Sequence, residues 1–345
     1  MFRFVYAKST FKVLGSRLLT HTTKFSSRFT REGLRDRLRN SSNNNAPIPK
    51  QQSINAQHPT FRPDSIPVRP VKDLWKALGF TAVLGSSLFT AAIIVEYERN
   101  RFRVRHLFND FTDAFFKTQQ TQQIHLSDGQ KWALGIIGLN TLVFLMWKVP
   151  ALERVMWQFF TNSYASKSLC SPMLLSVFSH YSFLHLALNM YVLFNFVPLS
   201  INKFLGVEQF TAFYLTAGVV SSLASVAHKA VIGSPIRALG ASGAILGALC
   251  YVCMKIPDAK LNIVFLPMWT FPAQSAVIGL VLFDLAGLLL RFRIFDHAAH
   301  LGGALFGVFY ALYGEKFMSE KVYPTVLSGY RQIRRIARPP PPSLP

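Results

Sequence analysis

Hydrophobic positions along this chain fall in long unbroken blocks rather than in the alternation of a strand or the narrow stripe of a surface helix. Uncharged apolar runs extend over Ala77 to Val95, Trp132 to Trp147, Phe183 to Ile201, Gln209 to Ala227, Ser242 to Met254 and Leu301 to Gly314, and a further run, Ala273 to Leu290, holds one carboxylate, Asp284. A membrane span needs about 20 apolar residues, fewer where neighbours enclose the helix. The pattern therefore predicts an all-α polytopic membrane protein: an extra N-terminal transmembrane helix at 77–95, a charged connecting segment at 96–131, and a six-helix bundle over 132–314. Asp296, just before "HAAHLGG", is a natural N-cap that would start the last helix near His297.

Each helix of such a bundle reverses the chain, so the second, fourth and sixth all begin on one membrane face. Their first turns carry His185 and Asn189, then Ser242, then His297 and His300. Parity alone brings every candidate polar group to one side. Depth follows from length, because the run from Ser242 to Met254 gives only roughly 20 Å of helix against a hydrocarbon core of about 30 Å. The preceding "KAVIGSPIRALGA" must dip toward the membrane interior, where irregular backbone is tolerated only if buried in protein or lining a wet cavity. Ser242 is then submerged yet reachable by water.

The ends of the chain read differently. Residues 1–31 carry Arg and Lys at intervals, many Ser and Thr, and no acid before Glu32, the composition of a mitochondrial transit peptide. Residues 32–76 are a disordered linker, polar and proline-rich from Asn40 to Pro70, and 315–345 read as a basic, proline-rich C-terminal tail. The net charge of +21 does not imply nucleic acid, because Lys and Arg concentrate in the N-terminal third, the loops and the tail rather than on one face. Cys170, Cys250 and Cys253 are too few and too apolar in setting for a disulfide framework, and the CxxC of the latter two reads as small packing residues.

A serine in an apolar helix is ordinarily a packing residue, and the GxxxG spacings of Gly243 with Gly247 and of Gly303 with Gly307 suit two closely packed helices. That reading does not require histidines, and ionisable groups at membrane depth are functional candidates. His300 shares a helix face with Gly303 and Gly307, so approach to the Ser242 helix would bring imidazole to hydroxyl, a nucleophile and its base. His185 and Asn189, four apart on one helix, join the backbone N–H of Ser242 as candidate donors to an oxyanion. Taken singly, Asn189 could be an interhelical hydrogen bond and either histidine a satisfied core residue. Their convergence on one face is what favours chemistry. Of the two histidines near the last N-cap, His300 is the expected base, lying deeper, whereas His297 is expected nearer water.

The strings "HYSFLHLALNM", "GASG" and "FDHAAHLGGALFG" resemble the rhomboid intramembrane serine proteases, and the last string with the leading extra span resembles their mitochondrial, presenilin-associated rhomboid-like branch. The resemblance covers roughly Trp132 to Gly314. It implies a serine endopeptidase with Ser242 as nucleophile and His300 as general base, a dyad without the usual aspartate. It further implies His185 and Asn189 as oxyanion donors, with His180 and Gly240 in supporting positions beside Gly243, and no cofactor or metal. Expected partners are the lipid bilayer and single-span proteins of the mitochondrial inner membrane. Two departures stand out. Bacterial members carry a Trp-Arg pair in the first bundle loop where this chain has Ser171 and Pro172, and many carry a tyrosine over the histidine where this chain has Leu246.

Other intramembrane protease chemistries fail on residues: no HExxH is present, and an aspartyl mechanism needs two carboxylates where the spans hold only Asp284. Asp284 reads as a buried structural hydrogen-bonding group or a gate rather than a third catalytic member. The alternative function is a catalytically inactive rhomboid-like protein that binds client helices. Membrane orientation is not readable, because basic segments flank the spans on opposite faces. A fusion of residues 1–40 to a soluble reporter is expected to reach the mitochondrial matrix; a reporter left in the cytosol would remove the presequence reading.

Overall fold

A computed structural model describes residues 70–113, 126–263, 266–292 and 295–337. The expected presequence, most of the expected linker, the middle of the connecting segment and the end of the tail lie outside the described residues. Helices cover Leu74–Asp113 (α1), Asp128–Met146 (α2), Glu153–Phe159 (α3), Cys170–Leu175 (α4), Phe183–Leu199 (α5), Gly206–Val231 (α6) and Ser242–Lys255 (α7). An antiparallel hairpin of Lys260–Ile263 (β1) and Leu266–Pro272 (β2) leads to Ala273–Leu289 (α8) and His297–Phe309 (α9). The hairpin is an addition to the all-α reading, in a stretch where no apolar run was seen.

Local chemistry sets the boundaries. Ser127 and Gln130 form a capping box at the start of α2: the Ser127 hydroxyl accepts from the Gln130 amide at 3.2 Å, and Gln130 Oε1 accepts from the Ser127 amide at 2.9 Å. Asn202, beyond the end of α5, accepts from the Gly129 amide at 3.0 Å and donates to Ser127 Oγ at 3.0 Å. The two helix ends are thereby held together. After Met146 the chain bends by 96° into the short helices of the first loop, with Pro150 opening the new turn. By length and composition residues 183–231 form one apolar helical run. Gly206, at φ 70° and ψ 174°, interrupts it with a backbone that no helix continues through.

The short helix α7 is the centre of the bundle. Gly243, Ala244, Ile245, Gly247, Ala248, Cys250, Tyr251, Val252 and Cys253 are all buried, enclosed by α5, α6, α8 and α9. Tyr251 meets Phe213 and Tyr310 at ring-centroid distances of 5.3 and 6.0 Å. Glycines make the closest approach: a Cβ on Gly303 would lie 2.0 Å from the carbonyl oxygen of Gly243, and one on Gly307 2.1 Å from that of Gly247. Outward positions are apolar too, with Ile278, Leu282, Phe283, Leu285 and Leu289 exposed on α8. Such a surface suits lipid rather than water, as expected of a polytopic membrane fold.

Two charged segments carry helix that the apolar pattern did not assign. The segment 96–131 was read as a connector, yet α1 continues through its first part to Asp113, and Arg99 pairs with Glu208 of α6 at 2.7 Å. The segment from 315 was read as a basic, proline-rich tail, with no helix assigned to it. Instead α9 runs on through widened turns at Tyr310–Gly314 and Met318–Val322, which flank Glu315–Phe317 (α10), into Tyr323–Ala337 (α11). Charged contacts accompany the helix in both cases. Tyr330 and Arg334 of α11 bond to Glu98 of α1, and Arg331 lies 5.1 Å from the Tyr97 ring centroid. Lys255 and Tyr251 both meet Glu315, each at 2.9 Å.

Gly303→Ala is expected to destabilise the protein by about 1–3 kcal/mol or more, since its methyl group would meet backbone that cannot swing aside. Thermal unfolding in detergent checks this, with Gly279→Ala as the control because no atom lies within 4 Å of the added carbon there.

Candidate active site

The stretch before α7 is irregular backbone fastened at four points. Asn162 and Ala238 exchange backbone hydrogen bonds of 2.7 and 2.8 Å, the Gly240 amide donates to the Ser176 carbonyl at 2.9 Å, and the Ala241 amide donates to His180 Nε2 at 3.4 Å. Arg237 donates to the Trp157 carbonyl and to Thr161 Oγ1 at 2.8 and 2.9 Å, with its guanidinium 5.9 Å from the Trp157 ring centroid. A Trp and Arg contact thus exists despite Ser171 and Pro172, between Trp157 of the first bundle loop and Arg237 of the stretch before α7. Gly240 has φ 135°, a region side chains avoid, and a Cβ there would also lie 2.9 Å from His185 Cε1.

Ser242 is the first residue of α7, and no side chain caps the helix. Its first amides are unpaired by the helix itself, a local site of positive potential. Ser242 Oγ lies 2.8 Å from His300 Nε2. Both residues are half-buried. The approach rests on the glycine contacts above, which let α9 bring its fourth residue against the start of α7.

The remaining predicted residues surround this pair unevenly. The His185 ring flanks Gly240, with Nε2 3.2 Å and Ser242 Oγ 3.8 Å from the same constructed Cβ position. His180 is fully buried and meets His185 edge to face at 4.9 Å. Burial, with His185 beside it, pulls the His180 imidazole down to about 3, consistent with its role as an uncharged acceptor for the Ala241 amide. Asn189 is buried, and its Nδ2 donates to the His185 carbonyl one turn earlier at 2.9 Å, so one of its two amide hydrogens serves its own helix. Gly243 faces Ser221, whose hydroxyl would be 1.8 Å from an added Cβ.

Behind Ser242 lies a cavity of about 30 Å³ lined by Ser176, Ser221, Ser222, Ser225 and Asp296 among others. A water needs about 10–15 Å³ of such space and two or more polar partners, so the cavity suits water.

His297 corrects an expectation. It is 3% exposed, deeper than the half-buried His300, because its ring fits against Gly287 of α8, where a Cβ would come within 2.5 Å, and among Phe283, Phe292 and Phe295. Its Nδ1 bonds Asp284 Oδ1 at 2.8 Å. A second cluster escaped the sequence reading: Lys229 Nζ and Ser225 Oγ both donate to Asp296 Oδ2, each at 2.6 Å, while Asp296 Oδ1 caps α9 through the Ala299 amide at 3.1 Å. Burial pushes the Asp296 carboxyl up, but Lys229 and the hydrogen bonds outweigh it and hold the group below the usual carboxylate range. The available signal was a lysine and a serine four residues apart near the end of an otherwise apolar helix.

The Rhomboid domain is matched over residues 154–317. The chain is 46% identical over 269 residues to the human "Presenilin-associated rhomboid-like protein, mitochondrial", covering 74% of this chain and 71% of the relative. The chain belongs to the rhomboid family. The zebrafish (Danio rerio) "Presenilin-associated rhomboid-like protein A, mitochondrial" is 41% identical over 308 residues, covering 80% of each chain. The Saccharomyces cerevisiae "Rhomboid protein 1, mitochondrial" is 30% identical over 251 residues, covering 71% of this chain and 66% of its own. The relatives are named as mitochondrial, and this rhomboid is a mitochondrial multi-pass membrane protein.

In this rhomboid the Lys229–Asp296 pair ties α6 to the start of the helix bearing His300. Lys229→Met is expected to cost about 3–5 kcal/mol by stranding a mostly buried carboxylate. Adding Asp296→Asn should recover most of it, and thermal midpoints of the single and double variants in detergent check both.

Proposed function

We propose that this chain is an intramembrane serine endopeptidase of the mitochondrial inner membrane that hydrolyses peptide bonds in or near the transmembrane helices of single-span proteins. The observation that carries this reading is the 2.8 Å contact of Ser242 Oγ with His300 Nε2 at the start of α7. Ser242 Oγ attacks the scissile carbonyl carbon while His300 Nε2 takes the hydroxyl proton. The carbonyl oxygen becomes an oxyanion beside the Ser242 amide, with His185 and the second amide hydrogen of Asn189 as further donors. His300 returns the proton to the departing amine, leaving an ester on Ser242. Water from the serine-lined cavity, activated by His300, then releases the acid and restores the hydroxyl.

Membrane depth constrains the substrate. A helix hides its backbone carbonyls in hydrogen bonds, so the susceptible bond lies where the substrate helix is easily unwound, near small residues or at its end. No cofactor enters this chemistry.

The test is cleavage of a single-span substrate by the purified full-length protein in bilayers, with labelling of Ser242 by a fluorophosphonate. Ser242→Ala and His300→Ala are expected to abolish turnover. Asn189→Ala is expected to lose about 10²- to 10³-fold, the usual effect of removing one oxyanion donor. Unchanged cleavage by Ser242→Ala would overturn the mechanism. Substrate binding without turnover or Ser242 labelling in the wild type would favour the inactive client-binding alternative.

A further inference from the structure

Asp284 is 1% exposed in the middle of α8, and a carboxylate enclosed by apolar helices is costly unless paired. One of its oxygens, Oδ1, faces two imidazoles of α9 three residues apart. It lies 2.8 Å from His297 Nδ1 and 3.5 Å from His300 Nδ1. The first contact is a formed hydrogen bond; the second is an electrostatic contact a few tenths of an ångström longer than one. His300 therefore has the Ser242 hydroxyl at Nε2 and a carboxylate oxygen toward Nδ1.

We propose that Asp284 is a positioning residue for His300, orienting its ring and retaining its proton on Nδ1 so that Nε2 presents a lone pair to Ser242. This rests on the Ser242 and His300 reading given above. Neutral imidazole carries one proton, and the nitrogen facing a carboxylate is where it is best held. The other nitrogen is then an acceptor, the form a general base requires. When His300 takes the serine proton, its new charge faces the same carboxylate, and contacts loose in the resting enzyme tighten at that stage.

His297 is the anchor of this arrangement. Its Nε2 is buried with no hydrogen-bond partner, flanked by Phe283, Phe292 and Phe295, so the site provides for one proton on His297, at Nδ1. That proton goes to Asp284. His297 thus fixes the carboxylate without supplying a cation to cancel its charge, which remains available to His300. The arrangement also accounts for Leu246, where an aromatic partner for the histidine is missing: here the ring is located by Asp284 on one edge and by Phe295 at 5.8 Å and 33°.

The test compares wild type with Asp284→Asn in the full-length protein in bilayers. Asparagine removes the charge, and only one of its atoms can stand where Oδ1 does: oxygen there leaves a neutral acceptor for both rings, and nitrogen there turns amide hydrogens toward both and disfavours the Nδ1-protonated tautomer of His300. kcat is expected to fall by about 10²-fold or more, within the range general-base catalysis contributes, with KM changed less than about twofold. A merely structural role would not move the His300 tautomer, so ¹⁵N-histidine spectra should show its proton at Nδ1 in the wild type and redistributed toward Nε2 in the variant. Wild-type kcat and an unmoved His300 tautomer in folded Asp284→Asn would overturn the proposal while leaving the protease reading intact, whereas an inactive wild type with unreactive Ser242 would remove both. Should the variant fail to fold, ¹⁵N-histidine spectra of the wild type decide: His300 protonated at Nδ1 supports the proposal, and at Nε2 overturns it.

Discussion

The fold depends on one contact, the backbone of α7 lying directly against the backbone of α9. Carbonyl oxygens of Gly243 and Gly247 occupy the space where side chains of Gly303 and Gly307 would stand. In lipid there is little hydrophobic force to drive helices together, so close van der Waals approach between small residues does that work. The same closeness determines a distance that long side chains would have made impossible: Ser242 and His300, carried on different helices, come within 2.8 Å. Packing and chemistry are here one constraint. A reading of the glycines as structural and a reading of the serine and histidine as functional describe the same interface.

Around that interface the molecule meets the problem of placing polar backbone at membrane depth. The descent from Val231 to Ser242 is not helical, and backbone groups of Ala238, Gly240 and Ala241 are met from the first bundle loop by Asn162, Ser176 and His180, while the Arg237 side chain donates to the Trp157 carbonyl. What lies beneath the serine is therefore a polar floor in an apolar bundle. The three serines of α6 and Asp296 extend it into a cavity. Burial of so many hydroxyls is tolerated only where a partner or water can meet them, and the cavity provides room for water.

Much of this was legible in the sequence because apolar block length and helix parity are one-dimensional properties. The helix at Ser242, the cap at Asp296 and the common face of His185, Ser242 and His300 follow from counting. What counting missed depended on partners distant in sequence. Glu98 gave no sign that it would meet Arg334, so no helix was assigned to the charged segment or the basic tail, whose described parts include helices joined by that pair. His297 looked wetter than His300 from its place after the cap. Which side of a helix start meets lipid, water or a neighbour is a tertiary property, and here Gly287 opens a slot on α8 that swallows the ring. The hairpin at 260–272 is too short and mixed for its pairing to show in periodicity.

The helical path that begins at His297 does not end with the bundle. Through two widened turns it continues to Ala337, where Tyr330 and Arg334 grip Glu98 on α1. The leading helix, which composition sets apart from the other six, is thus mechanically in series with the histidine-bearing one. A tilt of α1 imposed by bilayer thickness or by a partner would act as a load at one end of a lever whose fulcrum is the Gly243 and Gly303 contact. At the other end of that lever sits His300.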